Sequence, residues 1–201
     1  CYDLEEEVSV NAKKVDNQYL VKEIAKGAAL KGSNGINFGP DGNLYVASFL
    51  GQEIIVMNKQ NGKIIKRICH EDGVIVPDDL VFGPDGSLYW TDLFIGEVGR
   101  IAPDGTLTKQ FVAPGVNPIT FSDDGRMFVG LCFLGDGLYE VDPELKAPPR
   151  PIIVASPPLN PFPLGFLNGF DFGPDGKLYG PLFAGGAVIR VNVGGPGTPP
   201  S

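Results

Sequence analysis

Basic residues and long apolar runs are both scarce in this sequence, and each scarcity excludes a class of function. The 16 Lys and Arg stand against 24 Asp and Glu, which gives a net charge of −8. A nucleic-acid-binding protein normally carries a basic face, and a membrane-spanning helix needs about 18 consecutive apolar residues. We therefore expect no nucleic-acid partner and no membrane span. The acidity suits a cationic or metal partner, or simply a solvated surface.

Cysteine and histidine are scarce as well. The three cysteines, Cys1, Cys69 and Cys132, cannot all pair within the chain, so their pairing stays open. No Cys-x-x-Cys or Cys/His metal spacing occurs, which argues against a zinc site. The chain opens on Cys1 without a methionine, as a processed or truncated start would. That start favours a secreted or periplasmic protein, although the compartment stays open.

Glycine and proline are plentiful instead. The 28 Gly and 19 Pro mostly separate short runs of Val, Ile, Phe, Tyr and Leu. Strands joined by tight turns have this composition. With 43% hydrophobic residues the chain can bury a core. The composition predicts an all-β fold.

A short motif occurs four times in the same order, and each copy opens on a side chain that carries an oxygen. Successive copies begin 44, 39 and 51 residues apart, around the period of roughly 40 to 50 residues typical of propeller blades. The copies are Asn34-Gly-Ile-Asn-Phe-Gly-Pro-Asp-Gly, Asp78-Asp-Leu-Val-Phe-Gly-Pro-Asp-Gly, Asn117-Pro-Ile-Thr-Phe-Ser-Asp-Asp-Gly and Asn168-Gly-Phe-Asp-Phe-Gly-Pro-Asp-Gly. The repeat predicts a β-propeller.

Each copy is followed by extended segments and turns that predict a four-stranded antiparallel blade. Pro-Asp-Gly and Asn-Gly between apolar runs are hairpin signals. The expected ranges are an N-terminal arm at 1–17 and blades at about 30–70, 74–113, 114–156 and 164–201. The fourth blade lacks an outer strand. Either residues 18–25 complete it and close a four-bladed ring, or the four blades are the front part of a larger propeller.

The four residues that open the motif, Asn34, Asp78, Asn117 and Asn168, each begin the innermost strand of a predicted blade. They should therefore ring the central channel near one mouth. Amide and carboxylate oxygens around a common centre are what a hard cation such as Ca²⁺ requires. Asn and Asp also favour turn entries, where they cap backbone groups, and such a channel can simply hold water. The pattern predicts a calcium site or a hydrated channel.

A second repeated element, the turn between the second and third strands of each blade, lies at the same end. Its phenylalanines are Phe49, Phe94, Phe133 and Phe183. They would either wall a small-molecule pocket or fill the space between blades. The single histidine, His70, is a candidate proton acceptor in a loop on this face, or it is merely solvated. Asp78 is the better catalytic candidate, because a metal-bound carboxylate can deprotonate water or attack directly.

The inner-strand motifs resemble those of the SMP-30/gluconolactonase superfamily, which includes paraoxonase-type and diisopropylfluorophosphatase-type propellers. The strand that begins at Asn34 resembles the family's Asn-Gly-Ile strand, and Val76-Pro-Asp78-Asp-Leu resembles its Pro-Asp-Gly strand, within a likeness over about 30–192. The resemblance implies a six-bladed, calcium-dependent hydrolase of lactones or organophosphates. It also implies that Asn34 and Asp78 are ligands, with Asp78 as nucleophile or base. The chain departs from the family at Asp79, where Gly is usual, and it has no counterpart of the family's glutamate ligand.

Two hypotheses about function follow. The first is a calcium-dependent hydrolase of the lactonase or esterase type, acting on a small molecule at the channel mouth. The second is a non-catalytic propeller, like those of NHL and YWTD repeats, that binds a protein or sugar on the same face. Leu88-Tyr-Trp-Thr-Asp92 resembles a YWTD repeat, but the other three blades do not repeat it. The substrate and the oligomeric state stay open.

Overall fold

The computed structural model describes residues 11–14 and 20–196, and the regular secondary structure of this part is almost entirely antiparallel strand. The strands are β1 (Asn11–Lys14), β2 (Leu20–Glu23), β3 (Ser33–Phe38), β4 (Leu44–Ser48), β5 (Glu53–Met57), β6 (Ile64–Ile68), β7 (Pro77–Phe82), β8 (Leu88–Asp92), β9 (Glu97–Ile101), β10 (Leu107–Phe111), β11 (Val116–Phe121), β12 (Met127–Leu131), β13 (Gly137–Val141), β14 (Arg150–Val154), β15 (Asp171–Phe172), β16 (Leu178–Leu182) and β17 (Ala187–Val191). Two short 3₁₀ helices are also present, at Ala28–Leu30 and His70–Asp72. Within this part of the chain, no helix has the length and apolar character to cross a membrane.

The strands form the propeller blades that the repeat predicted. Three sheets have four strands each, β3 to β6, β7 to β10 and β11 to β14, and in each of them consecutive strands are neighbours. A fourth sheet contains β15, β16 and β17. The predicted all-β propeller is therefore confirmed. The absence of an outer strand from the fourth blade is also confirmed for the described residues, while a six-bladed ring stays a prediction.

Apolar side chains between the blades hold neighbouring sheets together. Trp90 is fully buried and packs with Ile54 and Val74 between the first and second blades. Similar clusters join the second blade to the third around Tyr89 and the third to the fourth around Phe128. Complete burial of one such side chain contributes about 1.5–3 kcal/mol. This packing fixes where each inner strand, and hence each motif residue, stands.

The expectation that residues 18–25 close the ring as the outer strand of the fourth blade is wrong for the part that the structure describes. β2 pairs with β1 in a separate two-stranded sheet. Ile24 and Ala25 then pack against the core of the first blade, and the carbonyl of Ile24 lies against the Gly62 turn. Apolar contact with the first blade thus decides the position of this segment. Apart from β1, the predicted arm at 1–17 lies outside the described residues.

Candidate functional site

The first three inner strands each carry a β-bulge where the repeated polar residue stands. The pairing register shifts between Ser33 and Ile36, between Pro77 and Leu80, and between Val116 and Ile119. A bulge inserts one residue into one strand and redirects its side chains. Asn34, Asp78 and Asn117 therefore project from irregular points at equivalent positions of three neighbouring blades.

Asn34 and Asp78 meet across the boundary between the first and second blades. The side chains of Asn34 and Asp78 line one cavity, and the amide of Asn34 is close enough to favour the ionised form of the Asp78 carboxyl group. Asp78 is only 4% exposed. Burial raises its pKa to about 6, although the nearby amide of Asn34 acts in the opposite direction. At neutral pH the carboxyl group is mostly ionised and still basic enough to accept a proton.

Two buried polar atoms of the repeated residues have no hydrogen-bond partner among the described residues. They are Oδ2 of Asp78 and Nδ2 of Asn117. An unsatisfied buried polar group costs on the order of 1–3 kcal/mol, and such groups in a folded protein call for an explanation such as a bound ion. A half-turn of the Asn117 amide exchanges its nitrogen and oxygen, so this side chain can also offer an acceptor at that place.

These donors fit calcium better than zinc. Across the described residues, no group of three or more His, Cys, Asp or Glu is arranged so that it could hold a metal ion, whereas zinc prefers His and Cys ligands in such a group. One carboxylate with neutral amides is an oxygen-only set, and Ca²⁺ readily completes such a set with waters and carbonyl groups. Asn34, Asp78 and Asn117 are thus the residues that would hold the ion.

Three of the polar candidates do not line this cavity. Asn117 is connected to the second blade through its backbone carbonyl, which accepts a hydrogen bond from Thr91. Asn168 is half-buried before β15 in the fourth blade, and His70 is exposed in the 3₁₀ helix after the outer strand β6. Neither residue lines the cavity beside Asp78, and none of the hydrogen bonds among the described residues links either one to Asp78. A ligand role for Asn168 and a catalytic role for His70 stay predictions.

The four repeated phenylalanines form two edge-to-face pairs at the same end of the blades. The ring centroids are 5.5 Å apart in the pair Phe49–Phe94 and 4.9 Å apart in the pair Phe133–Phe183. All of them except Phe183 line the cavity, whose volume is about 360 Å³. Each pair joins adjacent blades, and three of the four rings also present an apolar wall to the cavity. A substrate pocket at these residues stays a prediction. The volume suits a small organic ligand.

Asp79 joins two blades and does not face the cavity. Its carboxylate accepts hydrogen bonds from the backbone amides of Leu80, at 2.9 Å, and Ile119, at 3.1 Å. Burial raises the pKa of Asp79 to about 6, although these two hydrogen bonds lower it in part. A Cβ atom on Gly35 would come within 2.5 Å of Asp79 Oδ1, so the Gly of the first motif leaves room for this carboxylate.

Two further buried aspartates hold loops at this end of the molecule. Asp92 Oδ1 accepts hydrogen bonds from the amides of Ile75 and Val76, at 3.0 and 2.7 Å. Asp136 accepts three hydrogen bonds from the amides of residues 164–166. The sequence predicted neither role, because the partners are distant or lie in loops without a motif.

Cys132 follows β12 and is buried and free. Burial, together with the negative charges of Asp78 and Asp136, raises the pKa of its thiol to about 11. Because only the thiolate is a good metal ligand or nucleophile, the Cys132 thiol is unsuited to either role at neutral pH.

No protein-family model matches this chain, and no curated protein matches it. Solved structures do match. Virginiamycin B lyase from Staphylococcus aureus superposes with a TM-score of 0.67 at 17% identity, over 88% of this chain and 57% of that one. A streptogramin B lyase superposes with a TM-score of 0.63 at 14% sequence identity, over 86% of this chain and 58% of that one. A gluconolactonase from Xanthomonas campestris superposes with a TM-score of 0.62 at 21% sequence identity, over 78% of this chain and 58% of that one.

These similarities have two consequences. The chain spans only 57 to 58% of the length of these three structures. At identities this low the likeness shows the β-propeller fold alone, and at that level it confirms the resemblance to gluconolactonase-type propellers. Because lyases and a lactonase share the fold, the chemistry must be argued from the site.

Proposed function

We propose that this chain carries the active face of a calcium-dependent hydrolase of the lactonase or esterase type. The proposal depends on one observation, the buried carboxylate of Asp78. It lines a cavity walled by phenylalanines, and its Oδ2 has no partner among the described residues. A structural neighbour named as a gluconolactonase supports lactone chemistry on this fold, although the neighbours named as lyases show that the fold permits other reactions.

In the proposed reaction, Asp78 acts as a general base. Its carboxylate takes a proton from water while the water oxygen forms a bond to the carbonyl carbon of the substrate. The ring C–O bond then breaks, and the leaving alkoxide takes the proton from Asp78, so that one water is consumed and a hydroxy acid is formed. The calcium ion, when bound, supplies positive charge that polarises the carbonyl group. Asn34, which lines the same cavity, favours the ionised form of this carboxylate.

The walls of the cavity favour an uncharged substrate. Phe49, Phe94 and Phe133 offer apolar surface, and the described residues that line the cavity include no basic side chain. Burial of ligand surface against these rings contributes about 25 cal/mol per Å² of apolar area. The substrate class is thus a neutral lactone or ester with an apolar part.

Asp78→Asn tests the proposal, with Asp85→Asn, in an exposed hairpin turn of the same blade, as the matched control. Neutral lactones and aryl esters, including gluconolactone, are assayed by proton release with Ca²⁺ or with a chelator. Wild type and the control should turn over a substrate, whereas Asp78→Asn should lose at least about 10²-fold in kcat and chelation should abolish turnover. Full activity in Asp78→Asn, or no effect of chelation, overturns the mechanism.

The alternative is a non-catalytic propeller that binds a protein or sugar on this face. The exposed apolar residues at the turn tips favour it, since Leu50 is 69% and Leu134 is 52% exposed and such patches often mark binding sites. It predicts that no lactone or ester turns over under any condition. Substitutions of Leu50 and Leu134 should then weaken binding of a partner and leave Asp78→Asn without effect on it.

A further inference from the structure

A threonine stands opposite the bulge that carries Asp78. The register of β7 on β8 passes from the pair Pro77↔Asp92 to the pair Leu80↔Trp90. Two residues, Asp78 and Asp79, therefore face the single residue Thr91 on β8. A bulge disrupts the regular ladder of backbone hydrogen bonds, and here the amide of Asp79 donates to Thr91 Oγ1 at 3.1 Å instead.

The same hydroxyl reaches the next blade. Thr91 Oγ1 donates its proton to the carbonyl oxygen of Asn117 at 2.7 Å, and the side chain is fully buried. Asn117 stands at the bulge of β11. One hydroxyl thus accepts from the backbone beside Asp78 and donates to the backbone of Asn117, and it connects two of the three candidate ligands.

Asp92, the neighbour of Thr91 in β8, fixes the backbone on the N-terminal side of Asp78. It fixes the amides of Ile75 and Val76, directly before the inner strand. Its second oxygen accepts a hydrogen bond from the indole nitrogen of Trp90 at 3.0 Å. The backbone is therefore tied on both sides of Asp78 by consecutive residues of β8.

The threonine is not a general requirement of these blades. In the first, third and fourth blades the equivalent residues of the second strand are Ala47, Gly130 and Pro181. None of these side chains carries a hydroxyl. Among the four blades, a hydroxyl at this position occurs only where the motif residue is the carboxylate Asp78. A role at the site predicts this distribution, whereas a general packing role does not.

We infer that Thr91 is a positioning residue for Asp78 and Asn117. Its hydroxyl sets the distance between two ligand-bearing bulges of different blades and so determines the affinity for the divalent ion. The inference rests on the proposed function and adds to it. Residues that orient metal ligands typically change metal affinity by 10- to 100-fold when they are replaced.

The test compares three variants of the full chain. Thr91→Val removes the hydroxyl with little change of shape, and Thr91→Ser keeps it. The matched control is Thr120→Val, which removes another buried interblade hydroxyl, one that donates to Asp171 Oδ1 at 2.9 Å. Calcium affinity is measured by titration, and each variant's free energy of unfolding is measured without ion. The side-chain carboxyl ¹³C shift of Asp78 and the exchange rate of the Asp79 amide are also measured without ion.

Thr91→Val should bind Ca²⁺ at least tenfold more weakly than wild type, Thr91→Ser should recover most of the loss, and Thr120→Val should stay within about twofold even if it is equally destabilised. Equal affinities of Thr91→Val and wild type, or equal losses in both valine variants, overturn the inference while the proposed function stands. If wild type binds no Ca²⁺, the calcium part of the proposed function fails. The effect on affinity then fails as well, and the positioning of Asp78 is decided without ion: it is overturned if Thr91→Val leaves the Asp78 shift and the Asp79 exchange unchanged.

Discussion

Asn34 and Asp78 line one cavity, and the amide of Asn34 favours the ionised form of the Asp78 carboxyl group, although the two residues belong to different blades. Both occupy the opening position of a repeated motif. Packing of the first blade against the second brings these positions together, and the same packing removes Asp78 from water. The packing that builds the site therefore also makes ionisation of the Asp78 carboxyl group unfavourable, and the free-energy cost of this ionisation can be measured.

Burial of Asp78 should make the ion-free protein less stable as the pH rises. Its pKa of about 6 lies above the ordinary 3.8, so between these values the folded state binds more protons than the unfolded chain. The free energy of unfolding therefore falls as the pH rises through this interval and stays low above it. Asp78→Asn should raise it at pH 7.5 by up to about 3 kcal/mol, and the gain should shrink toward pH 4. Urea unfolding with a chelator present measures this.

Asp85 is a control for which we expect a change of opposite sign in the free energy of unfolding. Burial acts against its ionisation, but hydrogen bonds from Ser87 and Arg100 lower its pKa to about 2. Its ionised form therefore contributes stability that is present above the ordinary pKa and lost as the pH falls toward 2. Asp85→Asn should lower the stability at pH 7.5. A change of the same sign in both variants would contradict the assignment of burial as the cause for Asp78.

Gly99 should be irreplaceable as long as Trp90 is present. A Cβ atom on Gly99 would come within 2.1 Å of the indole ring of Trp90, which is fully buried between two blades. Gly99→Ala should therefore destabilise the protein by about 1–3 kcal/mol through overpacking. Trp90→Phe removes the clashing ring atoms. In a double-mutant cycle, the cost of Gly99→Ala should be smaller in the Trp90→Phe background, and additive costs would argue against this packing.

Phe94 should matter for substrate binding. It lines the cavity and packs edge to face on Phe49. Phe94→Ala should raise KM for a neutral lactone about tenfold, from the loss of 1–2 kcal/mol of apolar contact, and leave calcium affinity unchanged. Phe111→Ala is the matched control, since Phe111 is 58% exposed on an outer strand and Phe94 is 57% exposed. Equal effects of the two substitutions on KM would contradict a pocket at Phe94.

The blades could be predicted because their signals are local. In each of the four hairpin turns that follow the inner strands, the glycine adopts a positive φ, between 70° and 82°, at Gly42, Gly86, Gly125 and Gly176. Only glycine takes such a conformation without strain. The Asp-Gly turns and the apolar runs beside them therefore identify the strands within the sequence itself.

What could not be predicted depends on contacts between distant segments. The bulge at Asp78, the bond from Thr91 to Asn117 and the bond from Ile119 to Asp79 all require two strands or two blades to be placed first. The segment 18–25 has the pattern of an outer strand, but its strand β2 pairs with β1. The pattern of a strand predicts that the segment will pair, but it does not predict which strand the segment pairs with.

The proposed function requires that Asn34, Asp78 and Asn117 share one divalent ion. Titration calorimetry of Ca²⁺ into the ion-free chain tests it most directly, with wild type compared with Asn34→Ala, Asp78→Asn, Asn117→Ala and the hairpin-turn control Asp41→Asn. We expect one ion per chain for wild type and the control, weaker binding when either asparagine is replaced, and no binding for Asp78→Asn. Absence of binding in wild type, or unchanged binding in Asp78→Asn, would contradict it.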